Sequence, residues 1–420
     1  MTGPVPRRSA SAPRRWLSPF PAANTVAKGI ARVDDRPPAL SAYVIPAAAA
    51  LAAGMGVGRF AYTPILPLMH TQAGLTASAG AHLATANYIG YLVGALGGIL
   101  LPALSRSRTV LRASLVVLTV MLAAMPATHA VPVWEALRLL AGVASALVFV
   151  VAVSALLSNL RGHPPSLAGW GFGGVGAGIA LSGLLVLALR AVGDWRAAWW
   201  GTAALAALLS VGAWGLRPEP APSPDATAHV THRPAVSGTR RRFGALLLSY
   251  SLEGVGYIIA GTFLVAAIDQ ASPGWIGGGA WVLVGLAAVP SPALWARLGR
   301  RWSGPDLLFV ALVVQAVGIA LPALLGGVAA ALLSAALFGA TFLGVSTIAL
   351  GLGAHLQFPR SVALLTAGYS VGQILGPLAA GPLLHHGYHQ ALLLAAAVVL
   401  ASAATAAALR TGDPHRPTIP

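Results

Sequence analysis

The chain has 420 residues, of which 57% are hydrophobic and 9% charged, whereas ordinary soluble domains carry about 25% charged residues. That leaves too little polar surface to face water, so a soluble globular protein is excluded and lipid is the expected solvent. The net charge of +16 is spread between apolar runs rather than gathered into a patch, so nucleic acid is not an expected partner. The lack of cysteine rules out disulfides, thiol catalysis and cysteine-held metals.

Residues 1–40 are rich in Pro, Ser, Ala and Arg and read as a disordered basic tail. Lys28, the lone lysine, precedes Gly29 and Ile30, so there is no phosphate-binding Gly-Lys-Ser/Thr loop and no ATP engine. Twelve apolar segments follow. The first six run over about 42–68, 80–103, 109–129, 132–157, 166–190 and 196–216, and the second six over about 244–268, 275–296, 305–325, 328–354, 361–384 and 388–409. Each is near the roughly 20 residues that a spanning helix needs. Their continuous apolar runs do not alternate as barrel strands would. The expected fold is an all-α integral membrane protein of twelve transmembrane helices in two six-helix halves, 41–216 and 244–411. A polar linker, 217–243, lies between the halves, and a short tail, 412–420, ends the chain.

The positive-inside rule orients this arrangement. With the N-terminus in the cytoplasm, 22 of the 26 basic residues fall on the cytoplasmic side; the exceptions are Arg59, Arg138, Arg190 and Arg196. Both termini are therefore expected inside. The halves also repeat. Gly56-Val57-Gly58 matches Gly254-Val255-Gly256, Leu92-Val93-Gly94 with Arg106 matches Leu283-Val284-Gly285 with Arg297, and Gly174, Gly178 and Gly183 match Gly372, Gly376 and Gly381, at offsets of 191 to 198. A consistent offset points to duplication, and parallel repeats mark one class of transporter architecture.

Arg59 is the residue of most interest, because an arginine at bilayer depth costs roughly 2.5–3.5 kcal/mol on insertion scales. Such a side chain is tolerated where it faces a bundle interior or a watery cavity; the alternative is an interfacial anchor that snorkels outward. The glycines before it permit close helix approach, and Pro64 and Pro67 after it are expected to bend or end the helix. Glu135 and Arg138, three residues apart on one face of the fourth segment, are expected at a similar depth and suggest a cluster with Arg59. The alternative there is a simple interfacial pair. Glu253 lies about ten residues into the seventh segment, roughly 15 Å deep, where an acid suits proton binding and release or else a structural hydrogen bond. Tyr62, Asn87, Tyr257 and Gln373 are polar groups within spans, fit for substrate contact or for helix-to-helix bonds. His385, His386 and His389 crowd the last outer loop, but no metal or cofactor is expected.

The loop Leu294-Trp295-Ala296-Arg297-Leu298-Gly299-Arg300-Arg301 resembles the loop signature of the major facilitator superfamily, with Pro292 in place of its first Gly and Ala296 in place of its Asp. Arg138-Leu139-Leu140-Ala141-Gly142 resembles the family's R-x-x-x-G motif, whose Arg is associated with proton coupling. Gly368 to Gly376-Pro377 resembles the G-x-x-x-G-x-x-x-G-P element of antiporter fifth spans, placed here in the eleventh. More narrowly, G-R-F-A-Y-T-P-I-L-P-L-M, with the strings at 140–150 and 171–183, resembles the YbfB/YjiJ branch over about residues 42–410. The resemblance implies a multi-pass protein of the bacterial inner membrane that moves a small organic solute by alternating access. It also implies protons as coupling ion, a monomer, conformational roles for Arg106, Arg297, Gly299 and Arg300, and packing roles for Gly174, Gly178, Gly372, Gly376 and Pro377. The antiporter-like element leans toward efflux over uptake. A membrane-embedded transferase is disfavoured by short loops without an acid–base set.

Overall fold

The computed structural model describes Gly3 and residues 41–410, apart from 161–162, 219–236, 273, 357 and 359. The basic tail, most of the linker and the last ten residues thus lie outside the described residues. The helices all fall within one unit, Ala39–Pro420. In order they are α1 (Ser41–Leu51), α2 (Tyr62–Gln72), α3 (Ala77–Leu100), α4 (Pro102–Ser105), α5 (Arg108–Ala124), α6 (Val131–Asn159), α7 (Pro165–Leu189) and α8 (Trp195–Ala213). After the linker come α9 (Ser237–Ala271), α10 (Ile276–Ala288), α11 (Ser291–Leu298), α12 (Gly304–Leu324), α13 (Gly327–His355), α14 (Ser361–Ala380) and α15 (Tyr388–Arg410). No strand occurs among the described residues. Helix starts follow local chemistry: the side chains of Thr76, Ser107, Asp194 and Ser303 accept bonds from Ala79, Val110, Ala197 and Asp306 backbone N–H groups, satisfying donors that a first turn leaves free.

Among the described residues, ten spans are long and apolar enough to cross a membrane, with α1 and α2 counted as one. An eleventh arises if α10 and α11, bent by 42°, form a single span. The remaining expected segment is α8, a 19-residue helix in which Arg196, Trp195, Trp199 and Trp200 dilute the apolar run. The α10–α11 bend sits at Pro290 and Pro292, whose missing N–H groups interrupt the helical ladder. Ser291 Oγ and Trp295 Nε1 both donate to Ala340 O at 2.7 Å and tie the bend to α13. The seventh segment is longer than expected, since α9 begins at Ser237, inside the range assigned to the linker.

Each half packs mainly on itself. In the first, α3 lies on α6, α5 on α6 and α8, and α7 on α1; in the second, α15 lies on α9 and α12, α14 on α9, and α13 on α12. The halves meet where α7 crosses α10 and α11, α3 meets α14, and α2 meets α9. The duplication expected from the sequence reappears as matched bonds. Gln72 Oε1 accepts from Trp195 N at 2.7 Å in the first half, and Gln270 Oε1 accepts from Tyr388 N at 3.1 Å in the second.

The repeat glycines do matched work. Gly174 and Gly178 lay α7 against the backbone of Ala48 and Ala52, and Gly372 and Gly376 lay α14 against that of Ser251 and Val255. Pro377 is buried within α14. On its other face α7 meets the second half: a Cβ at Gly176 would fall 2.5 to 2.7 Å from backbone atoms of Val289, Ala288 and Gly285. Backbone cannot step aside as a side chain can. Gly176→Ala should therefore cost about 1–3 kcal/mol by overpacking and lower the melting temperature in detergent. Gly351→Ala, where a Cβ meets open space, should leave it unchanged or slightly raised. Equal melting of the two variants would refute the close crossing.

Candidate functional site

The site begins with a broken span. Between α1 and α2 the chain forms a π-helical turn, Ala52–Val57, in which Gly58 N reaches Ala53 O at 2.9 Å and Phe60 N reaches Met55 O at 3.2 Å. The break thus precedes the prolines, contrary to the sequence expectation. Pro64 sits in the first turn of α2, where its missing N–H costs nothing, and Pro67 is accommodated inside that helix. Turns of this kind leave carbonyls without helical partners. Ser145 Oγ donates to Gly54 O at 2.5 Å, and Arg138 Nη1 and Nη2 donate to Gly58 O and Arg59 O at 3.3 and 3.4 Å. Arg138 lies over the Tyr62 ring at 4.8 Å, and its carbonyl accepts from Asn87 Nδ2 at 2.9 Å. Arg138 is therefore a brace for the break, and Asn87 ties α3 to it.

So braced, the break carries Arg59 to the junction of the halves. Its Nη2 donates to Gln373 Oε1 on α14, and its guanidinium stands over the rings of Tyr91, Tyr88 and Phe60 at 4.5, 4.8 and 5.4 Å. Arg59 is only 3% exposed and Gln373 1%. Nε of Arg59 and Nε2 of Gln373 have no hydrogen-bond partner among the described residues. On the facing half, Tyr257 stacks at 6.0 Å and 5° on Phe342 and at 5.4 Å and 11° on Tyr369, which in turn stacks at 4.3 Å on Tyr250. Phe60, beside the Arg59 guanidinium, meets Phe342 of this stack edge-on at 6.0 Å and so joins the two sets of rings. Two further bonds cross the junction nearby: Thr63 Oγ1 donates to Gly261 O at 2.5 Å, and Tyr88 OH meets Thr262 Oγ1 at 2.8 Å. Since the Thr262 hydroxyl donates to Ile258 O, Tyr88 is the donor.

The described acids are all engaged elsewhere. Glu135, expected beside the arginines, points instead to His82 on α3 at 3.9 Å, with its side chain 36% exposed. The i, i+3 spacing places Glu135 and Arg138 on one face, but Arg138 is drawn inward by the free carbonyls of the break. Asp194 caps α8 and meets Arg196 at 4.0 Å. Asp269 holds Arg190 at 2.8 Å, and Asp306 holds Arg410 at 2.6 Å. Glu253 is fully buried, and its Oε1 accepts from Gln315 Nε2 on α12 at 3.2 Å. It faces the interior of the second half, not Arg59. Neither Arg59 nor Arg138 has a carboxylate partner among the described residues.

Of the residues expected at the site, the structure brings together Arg59, Tyr257 and Gln373. Tyr62 belongs to the first half's core, bonded to Gly80 O at 2.8 Å and stacked on Trp199. Arg106, Arg297, Gly299 and Arg300 are exposed, and none of the three arginines forms an ion pair among the described residues, in keeping with the Ala296 that replaces the motif's Asp. The Arg190–Asp269 pair between α7 and α9 was not apparent from the sequence, because its partners lie 79 residues apart. Thr63 had one signal: its partner Gly261 lies 198 residues on, the offset of the repeat.

These roles predict opposite effects of two similar substitutions. Arg138→Gln should lower stability by about 2–3 kcal/mol, because it strips the donors from two buried carbonyls. Arg59→Gln removes a buried cation that has no counter-charge and should be neutral or stabilising. Thermal melting of both variants in detergent checks this, and a larger loss for Arg59→Gln would reverse the assignment.

A family model described as "Uncharacterised MFS-type transporter YbfB" matches residues 51–407. No curated protein matches the chain. Among solved structures 274 chains match. One, a mutant of the nucleoside transporter NupG, aligns with a TM-score of 0.64 at 15% identity over 88% of this chain and 100% of its own, which shows a shared fold. With a match over most of its length, the chain belongs to the YbfB-type family of the major facilitator superfamily, a family of membrane transporters and not a class of enzymes.

Proposed function

We propose that the protein is a proton-coupled secondary transporter that exports a small organic solute by alternating access. The observation that carries this reading is Arg59, a buried cation without a counter-charge, bonded from one half of the molecule to Gln373 of the other. A structural arginine in a span spends its donors on fixed backbone acceptors, as Arg138 does; Arg59, bonded only to the opposite half, is suited to a passing ligand. The positive-inside rule supports an inner-membrane protein with both termini in the cytoplasm and all twelve apolar segments, α8 included, embedded. In that orientation Arg190–Asp269 lies at the outer ends of α7 and α9, and Thr63–Gly261 and Tyr88–Thr262 join the halves nearer mid-span, contacts that support reading this arrangement as closed toward the outside. The resemblance of the α14 glycines and Pro377 to the antiporter element supports export. The nucleoside specificity of the fold neighbour concerns that protein, and at 15% identity it does not decide between solutes here.

Glu253 is the proposed proton carrier. It is buried in the span, and its Oε2 has no partner, so one oxygen is free to take and release a proton. In inside-out vesicles energised with a proton gradient, adding a transported solute should release lumenal protons, and Glu253→Gln should abolish the release while solute binding persists. Proton release at the wild-type rate in the variant would remove Glu253 from the pathway.

Alternating access has its own test, helped by a chain without cysteine. Thr63→Cys with Gly261→Cys places two thiols where a hydroxyl now reaches a carbonyl, and a Cβ at Gly261 meets nothing closer than 3.8 Å. Oxidation should cross-link the start of α2 to the middle of α9 across the junction and slow transport by at least about tenfold, and reductant should restore it. Undiminished transport by the cross-linked protein would contradict opening at this gate.

A further inference from the structure

The chemistry around Arg59 also specifies a ligand class, an inference that rests on the transporter reading above. Among the described residues, Nε of Arg59, Nε2 of Gln373 and Oγ of Ser370, one turn before Gln373 on α14, are buried without partners, as is Nε of the neighbouring Arg138. All but the Ser370 hydroxyl can only donate. Buried donors without acceptors are costly, and a buried unpaired charge is more so. The group that meets all these needs is an anionic acceptor, and the described residues supply none, because each of the five described acids is engaged elsewhere. A neutral solute would leave the cation uncompensated, and a cationic one would add repulsion.

The form of the ligand follows from which donors remain open. Arg138, also buried, spends its Nη atoms on Gly58 O and Arg59 O, so its fork is closed to a ligand although its charge remains. The open set is one guanidinium and one amide, a pair that suits the two oxygens of a carboxylate better than the three of a phosphate monoester. The shape of the ligand follows from the walls. Tyr257, Tyr369 and Phe342 present near-parallel rings, with interplanar angles of 5° and 11°, and Phe342 meets Phe60, the ring beside the Arg59 guanidinium, at 6.0 Å. In the first half, Tyr88 and Tyr91 turn their faces to the guanidinium. A cation bordered by rings of both halves suits a flat body that can stack against them.

We propose that this site binds a monoanionic carboxylate carried on a planar aromatic ring, with the carboxylate held in the fork of Arg59 and by Gln373 Nε2, and the ring against Tyr257 and Tyr369. Displacement of the Arg59–Gln373 bond by the carboxylate would let the ligand take over the link between the halves.

Binding is measured on the full-length chain in detergent, by calorimetry and by thermal shift, with no gradient and no membrane. The probes are benzoate and 1-naphthoate, the neutral benzamide, the cation benzylamine, and the saturated cyclohexanecarboxylate. The two aromatic carboxylates should bind, benzamide and benzylamine should not, and cyclohexanecarboxylate should bind about three- to tenfold more weakly than benzoate for want of stacking. Arg59→Gln should weaken benzoate binding by about tenfold or more. Gln373→Leu should weaken it less and preserve the rank order, which keeps the test alive if Arg59→Gln does not fold. Equal binding of benzamide or benzylamine, no binding of any carboxylate in the set, or undiminished binding by Arg59→Gln would each overturn the inference. Failure here is separable from failure of the transport reading. Proton-linked flux of a neutral solute without carboxylate binding removes the ligand class alone, whereas carboxylate binding without flux removes the transport function and leaves the site.

Discussion

The geometry of the junction depends on how the first span is broken and repaired. A π-helical turn at Ala52–Val57 releases backbone carbonyls in a setting where no water competes for them, and an unsatisfied carbonyl in lipid costs several kcal/mol. Ser145 takes one carbonyl and Arg138 takes two, so α6 serves as a splint along the break. Without that splint the segment would relax toward a continuous helix, and Arg59 would lie at another angle around it. The position of the one open cation is thus set by a second cation that is fully occupied. The two arginines are only 79 residues apart in the chain and each lies over tyrosine, Arg59 over Tyr88 and Tyr91 and Arg138 over Tyr62, yet they do different jobs.

The repeat sharpens this division. At the offset of 198 that pairs Thr63 with Gly261, the counterpart of Arg59 is Tyr257 and the counterpart of Met55 is Glu253. Bonds that hold each half together have kept their mates, as Gln72 with Trp195 and Gln270 with Tyr388 show. Groups at the junction have not. One half contributes a cation and the other a slab of rings, which is how two copies of a scaffold come to form one asymmetric junction. The buried acid has likewise moved off the axis, into the core of the second half beside Gln315.

Much of this was legible before any coordinates. Composition and long apolar runs indicate a helical membrane protein, and a charge inside such a run marks Arg59 at once, because its insertion cost demands a reason. The glycine offsets anticipate the packing of Gly174 and Gly178 and their mates. What the sequence could not convey were choices among partners. Glu135 and Arg138 share a helix face, but spacing says nothing about carbonyls released by another helix, and those carbonyls claim Arg138 while His82 claims Glu135. Pro64 and Pro67 suggest a break at their own position; the strain is taken up earlier, where glycines and alanines let neighbouring backbones close in. Arg190 looked like an ordinary loop cation until α9 brought Asp269 beside it.

No described acid stands opposite Arg59, and under the proposed alternating access this has a dynamic consequence. Halves that separate and rejoin are poorly held by a buried ion pair, because parting one strands a charge at a cost of about 3–5 kcal/mol. Each 1.4 kcal/mol of such a barrier slows the step about tenfold. A single charge-assisted bond to a neutral glutamine, worth about 1.5–3 kcal/mol, holds the junction more loosely. The rings of Tyr88, Tyr91 and Phe60 stabilise the guanidinium by about 0.5–2 kcal/mol each from within its own half, so that attraction is kept when the halves part. The permanent ion pair across the halves, Arg190 with Asp269, is placed at the end of the bundle instead, where its arginine side chain is 34% exposed and water can take over either charge as the pair opens. A strong contact at the wet rim and a weak one at the dry centre is the distribution that lets a closed gate be stable without being locked.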